Sequence, residues 1–74
     1  MKKPTYLELL RRGKGLSIAN LARETGMSGG LIAQVEGRHR KAYPKLRKAL
    51  VKFLGVEEET IFDAEGFAKT LRRR

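Results

Sequence analysis

Residues 18–37 read IANLARETGMSGGLIAQVEG, and the fold turns on this stretch. Over residues 18–25, Ile18, Leu21, Ala22 and Thr25 recur at three- and four-residue spacing, which places them on one stripe of a helix. A second helix over 28–36 sets Ile32 and Val35 on its inner side. Between them, Gly26-Met27-Ser28 is a three-residue break. Ala22 carries only a methyl group, so a second helix can cross close against it. Gly26 can take the left-handed backbone that ends a helix at little steric cost. The Ser28 hydroxyl can then accept a backbone N–H that otherwise lacks a partner.

Two short helices joined by a tight turn make a helix-turn-helix, an arrangement whose second helix can enter the major groove of DNA. Working outward, Thr5-Tyr6-Leu7-Glu8 matches a capping box after Pro4, and Leu7 and Leu10 give a first helix its inward stripe. Gly13 and Gly15 end that helix. Leu16 packs back as a staple beside Ser17, a good N-cap for the helix over 18–25. On the far side, Gly37 stops the helix over 28–36, and a basic loop over 38–42 leads to a fourth helix with Pro44 in its first turn. Leu46, Ala49, Leu50 and Phe53 form its apolar stripe, and Lys45, Lys48 and Lys52 line another side. Gly55 ends it. Residues 56–62 read as a short fifth helix with Glu57, Glu58 and Glu59 in its first turn, favourable against the helix dipole, while Val56, Ile61 and Phe62 close the core.

This predicts an all-α, compact five-helix domain over residues 1–62. Residues 63–74 are read as a basic tail, either helical or disordered. Asp63 can cap a sixth helix that puts Ala64, Phe67, Ala68 and Leu71 on one face, although Gly66 weakens it by about 1 kcal/mol relative to Ala. The Phe67 and Leu71 face is the leading candidate for a dimer contact. Arg72-Arg73-Arg74 is read first as a disordered end.

Composition narrows the partner. At 74 residues the chain has room for one domain, and one of this size buries only about 60% of the surface its unfolded form exposes. Without cysteine there is no disulfide and no thiolate metal site, and no cofactor is called for. Met1-Lys2-Lys3 leads straight into an amphipathic segment, so no signal peptide or membrane span is expected and the chain reads as cytoplasmic. Seventeen Lys and Arg against eight Asp and Glu give a formal charge of +9, which points to a polyanion. The charge is grouped: Arg38, Arg40, Lys41, Lys45, Arg47, Lys48 and Lys52 fall in a run without an acid. An enzyme is the weakest reading. There is one histidine, no carboxylate pair beside a base and no phosphate-cradling loop, and no small-molecule substrate is evident. RNA is disfavoured because the few aromatics fall mostly at packing positions.

From about Leu7 to Phe62 the chain resembles the Cro and cI repressor type of helix-turn-helix domain, often called the XRE family. The matching features are Leu10, Lys14-Gly15-Leu16-Ser17, Leu21-Ala22, Gly26-Met27-Ser28, Ile32, Val35-Glu36, and Leu50 through Val56 leading to Ile61-Phe62. The resemblance implies a lambda-repressor-like domain that binds operator DNA, usually as a homodimer on a two-fold-related site, and regulates transcription. Two departures stand out. Family members often begin the second helix with a glutamine that hydrogen-bonds the DNA backbone and braces the recognition helix; here that position is Ile18. They usually open the recognition helix with polar or basic side chains; here Ser28 is followed by Gly29 and Gly30.

At 100° per residue, Gly29, Gly30, Ala33, Gln34 and Gly37 fall opposite Ile32 and Val35. Such a face can approach DNA closely and touch thymine methyl groups through Ala33, and Gln34 is the best candidate for a base contact, to adenine. Arg38, Arg40 and Lys41 are the candidate phosphate contacts, Arg38 and Arg40 ranking first. Ser17 and Ser28 add helix N-termini whose free N–H groups attract anions. The reading is therefore of a small double-stranded-DNA-binding regulator, most simply a repressor. The alternative is a protein-interaction module that uses the same small-residue face to dock another regulator or a recombination factor.

Overall fold

Thr5 opens the first helix of a chain whose computed structural model describes residues 4–71. Its hydroxyl oxygen accepts the Glu8 N–H at 3.2 Å, and the same hydroxyl donates to the Glu36 carbonyl at 3.1 Å. One buried side chain thus caps α1 (Tyr6–Gly13) and ties it to the end of a helix far along the chain. Ser17 caps α2 (Ile18–Thr25) in a reciprocal box: Asn20 N–H donates to Ser17 Oγ at 3.0 Å, and Ser17 N–H donates to Asn20 Oδ1 at 3.3 Å. Gly26, at φ 73°, ends α2 in the left-handed region. Ser28 accepts the Leu31 N–H at 3.3 Å and caps α3 (Gly29–Glu36).

Helix α3 ends where expected, at Gly37, but the left-handed turn comes one residue later. Gly37 closes the helix at φ −85°, and the left-handed residue is Arg38, at φ 65°. The hydrogen bonds explain the offset: Arg38 N–H reaches the Val35 carbonyl and His39 N–H the Gln34 carbonyl, a cap that needs its left-handed residue at position 38. Gly37 is a matter of space instead, since a Cβ there would lie 2.9 Å from the His39 ring and 3.4 Å from the Ala33 carbonyl oxygen.

Pro44 starts α4 (Pro44–Leu54), and Gly55, at φ 71°, ends it. The next helix, α5 (Glu58–Ile61), is a single turn, shorter than the 56–62 span expected. The N–H of Val56 is spent on the Val51 carbonyl, so Val56 belongs to the end of α4. Phe62 is already extended.

Helix α2 packs on α3 and α4, while α5 joins α4 to α1. The centre is apolar: Leu7, Leu21, Ile32, Val35, Leu46, Leu50, Ile61 and Phe62 are all buried. Ala49 and Phe53, placed on the α4 stripe, are only half-buried, and Leu54 takes the inner position. Among the described residues no helix is long and apolar enough to cross a membrane.

The sixth helix is absent, so the helical alternative for 63–74 fails over its described part. Asp63 Oδ1 accepts the N–H groups of Glu65 (2.9 Å) and Phe67 (3.0 Å), and Gly66 turns the chain at φ 98°. The return limb runs antiparallel to what it meets. Ala68 bridges Phe62 and Thr70 bridges Thr5. Tyr6 N–H donates to Lys69 O (3.0 Å), Leu71 N–H to Pro4 O (3.1 Å) and Lys69 N–H to Ile61 O (2.9 Å). A helix would satisfy these groups only among themselves. The strap formed by residues 63–71 satisfies them against the start of α1 and the end of α5, and it buries Ala68 completely. With the helix goes the single Phe67 and Leu71 face read as a dimer contact. Arg72, Arg73 and Arg74, read as a disordered end, lie outside the described residues.

Candidate nucleic-acid interface

The outer side of α3 is bare, as its composition predicts. Gly30, Ala33 and Gln34 are exposed and Gly37 is half-buried. Gly29 leaves this face: a Cβ built on it would lie 3.6 Å from Ala22 Cβ and 3.7 Å from Ile18 Cγ2, so it sits where α3 crosses α2. Those distances are ordinary contacts, and around Gly30 the nearest atom is Ser28 Oγ at 3.7 Å. Neither glycine has a positive φ. The fold therefore has room for a methyl group at both positions, although glycine in a helix costs up to about 1 kcal/mol relative to alanine. What Gly30 supplies is an unobstructed helix surface, whereas Gly29 serves the crossing with α2.

The helix carrying this face is held at both ends. Ser28 caps its start. At its end, Arg11 and Glu36 form a two-pronged ion pair, Nε to Oε2 at 2.8 Å and Nη2 to Oε1 at 3.0 Å, with both side chains only 9% exposed. Arg11 Nη1 also donates to the Leu16 carbonyl at 2.8 Å, so one guanidinium joins α1, the turn before α2 and the end of α3. The Glu36 hydrogen bond raises the Arg11 pKa further above its already high ordinary value, against the opposing effect of burial. Sequence reading missed this clamp. Its available signal was Arg11 at four residues from Leu7, on the inner stripe of α1, and Glu36 next to the buried Val35.

The cations beyond α3 are exposed but differently held. Arg40 Nη1 donates to Gln34 Oε1 at 3.2 Å, which brings the leading base-contact candidate and a phosphate candidate together. Arg38 lies over the Phe67 ring, 5.5 Å from its centroid, and 3.7 Å from the Asp63 carboxylate. Lys41 shares that ring at 5.9 Å. Arg40 and Lys41 have no ion-pair partner among the described residues. A groove of about 480 Å³ beside the α3 face is lined in part by Arg12, Ile18, Ala33, Gly37 and Arg38. Its wall at the start of α2 is the aliphatic Ile18, without an amide. Ser17 and Ser28 are exposed, and both hydroxyls serve as helix caps. His39 is a lone surface imidazole, and no group of three His, Cys, Asp or Glu able to hold a metal ion occurs among the described residues.

Comparison of the chain with protein-family models, with curated proteins and with solved structures finds no match. The functional reading accordingly stands on the residues and their placement.

Proposed function

We propose that this chain binds double-stranded DNA as a small transcriptional regulator of the repressor kind, with α2 and α3 acting as a helix-turn-helix. On this reading α3 lies in the major groove, which is wide enough to admit a helix. Arg38, Arg40 and Lys41 rest on phosphates. The observation that carries it is the coincidence of an exposed face of Gly30, Ala33 and Gln34 on α3 with exposed cations following the same helix. A helix surface without long side chains brings its axis near the base edges, and cations at its end neutralise the flanking backbone. Gln34 is the base-reading residue of this scheme and Ala33 the thymine-methyl contact. With so few polar groups on the face, most of the affinity comes from phosphates and discrimination between sequences is modest. Two copies on a two-fold-related site complete the proposal, through a surface other than a helical Phe67 and Leu71 face.

Salt dependence tests it most directly. If each chain neutralises about four phosphates, log affinity falls against log salt with a slope near −3.6 per chain. Selection from a random duplex pool at two salt concentrations then shows whether one sequence is enriched. A flat salt response sinks the proposal and leaves the α3 face to a protein partner.

A second expectation concerns the face itself. Gly30→Ala raises stability by about 0.5–1 kcal/mol, because helix propensity improves and nothing is displaced. Gly30→Leu also fits the exposed position, but it fills the space before the groove and lowers DNA affinity by about tenfold or more, about 1.4 kcal/mol. Thermal unfolding beside a binding titration separates the two effects. Unchanged affinity in Gly30→Leu means that DNA does not approach α3 on this side.

A further inference from the structure

The strap does more than close the core. Phe67 is only half-buried, yet its ring lies under two cations of the loop following α3, Arg38 at 5.5 Å and Lys41 at 5.9 Å. Long cationic side chains in water stay mobile unless something holds them. Three features hold them here. The negative face of the ring attracts both cations. Asp63, at 3.7 Å, offsets part of the Arg38 charge. The turn carrying Phe67 is fixed against the loop by a backbone hydrogen bond, Ala42 N–H to Gly66 O at 2.9 Å. Arg47 Nη1, reaching the Ala42 carbonyl, secures the same point from α4.

Resting on the DNA-binding reading above, we infer that Phe67 is a positioning residue: its ring holds Arg38 and Lys41 in place as a cationic seat for the DNA backbone. A backbone phosphate completes the charge balance, which Asp63, 3.7 Å from Arg38, meets only in part. Side chains already held by the ring lose less freedom when it arrives, and pre-organisation of this kind raises affinity without adding a contact. Phe67 itself does not touch the DNA. Its effect on binding runs through the two cations, which distinguishes it from Arg38 and Lys41.

The test uses the full chain, the duplex it binds best from a random pool, and the variants Phe67→Leu, Phe67→Tyr and Arg38→Ala. Leucine keeps apolar bulk and removes the aromatic face, whereas tyrosine restores it. Phe67→Leu is expected to weaken binding about tenfold, about 1.4 kcal/mol, and Phe67→Tyr to stay within about twofold of the parent. The salt slope of Phe67→Leu stays near that of the parent, because the cations are still present, while Arg38→Ala makes it shallower by about 0.9. Proton NMR of the free chain gives a reading independent of DNA. The side-chain methylene protons of Arg38 and Lys41 are shifted upfield by the ring in the parent and in Phe67→Tyr, and return to ordinary positions in Phe67→Leu. Unshifted protons in the parent, or parental affinity in Phe67→Leu, overturn the inference while leaving DNA binding intact. A parent chain that binds no duplex overturns the DNA-binding reading and the phosphate seat together, even where the NMR shifts are seen.

Discussion

Glu36→Ala is expected to remove about 3–5 kcal/mol of folding stability, the usual cost of breaking a buried ion pair and leaving one charge without its partner. A chain of 74 residues has roughly 4–11 kcal/mol in all, so the variant should lose a large share of its stability and unfold at markedly lower urea concentration. The stranded group is Arg11, whose guanidinium remains 2.8 Å from the Leu16 carbonyl and loses both bonds to the carboxylate. A second variant separates the pair's worth from the penalty of orphaning half of it. Arg11→Met combined with Glu36→Leu replaces two charges by apolar groups of similar size, and such exchanges are often neutral or stabilising. The double variant should therefore recover most of what the single one loses. Urea unfolding of all three chains provides the check. A Glu36→Ala midpoint equal to that of the parent shows that the ion pair is not a clamp.

The second large effect is expected from ending the chain at Phe62. Among the described residues the strap contributes four backbone hydrogen bonds to the rest of the molecule, through Lys69 O, Leu71 N, Lys69 N and Gly66 O. At about 1 kcal/mol each, their loss costs about 4 kcal/mol, and the core also loses the fully buried Ala68. Some of this is offset by residues that no longer need ordering, yet the α1 junction loses the limb paired with it. The shortened chain should unfold at markedly lower urea concentration and lose amide protection first at Tyr6 and Ala42, whose N–H groups donate to the strap. Identical unfolding of the long and short chains means the strap lies outside the cooperative unit.

Acid has a milder version of the same effect. Desolvation works to raise the Asp63 carboxyl, but the N–H groups of Phe67, Glu65 and Gly66 and the Arg38 guanidinium outweigh it and hold it below the usual carboxylate range. Because the folded value is the lower one, this stabilisation is complete above the unfolded carboxylate range. It is lost as pH falls through the folded value.

Local chemistry was legible in the sequence; long-range pairing was not. Ser17, Gly26, Ser28, Pro44 and Gly55 each act within a few residues of themselves, and the structure uses all five as their side chains suggest. Thr5 is legible only in part. Its cap on Glu8 is local, whereas its bond to the Glu36 carbonyl joins residues 31 apart. The Arg11 and Glu36 pair spans 25 residues, and although Arg11 falls on the inner stripe of α1, that spacing does not name the partner without which a buried charge is not recognisable. The strap misleads for a related reason: Ala64, Phe67, Ala68 and Leu71 do carry helical spacing, but the unpaired backbone beside Pro4 and Ile61 offers better partners than a weak helix broken at Gly66. For the candidate interface, the α3 periodicity placed Gly30, Ala33 and Gln34 correctly on the outside. Gly29 was misplaced, because a helix crossing covers it from a direction that no single-helix projection contains.

The bond between Leu71 N–H and Pro4 O, 3.1 Å long, brings the beginning and the end of the described chain to one point on the surface. A short flexible linker can therefore join the two and let new termini open at an exposed turn such as residues 13–15, without asking any helix to move. Groups attached at Pro4 or Leu71 would likewise start from this one place, beside the groove that Thr5 and Thr70 help to line, so reporter groups are better sited on the outer side of α4.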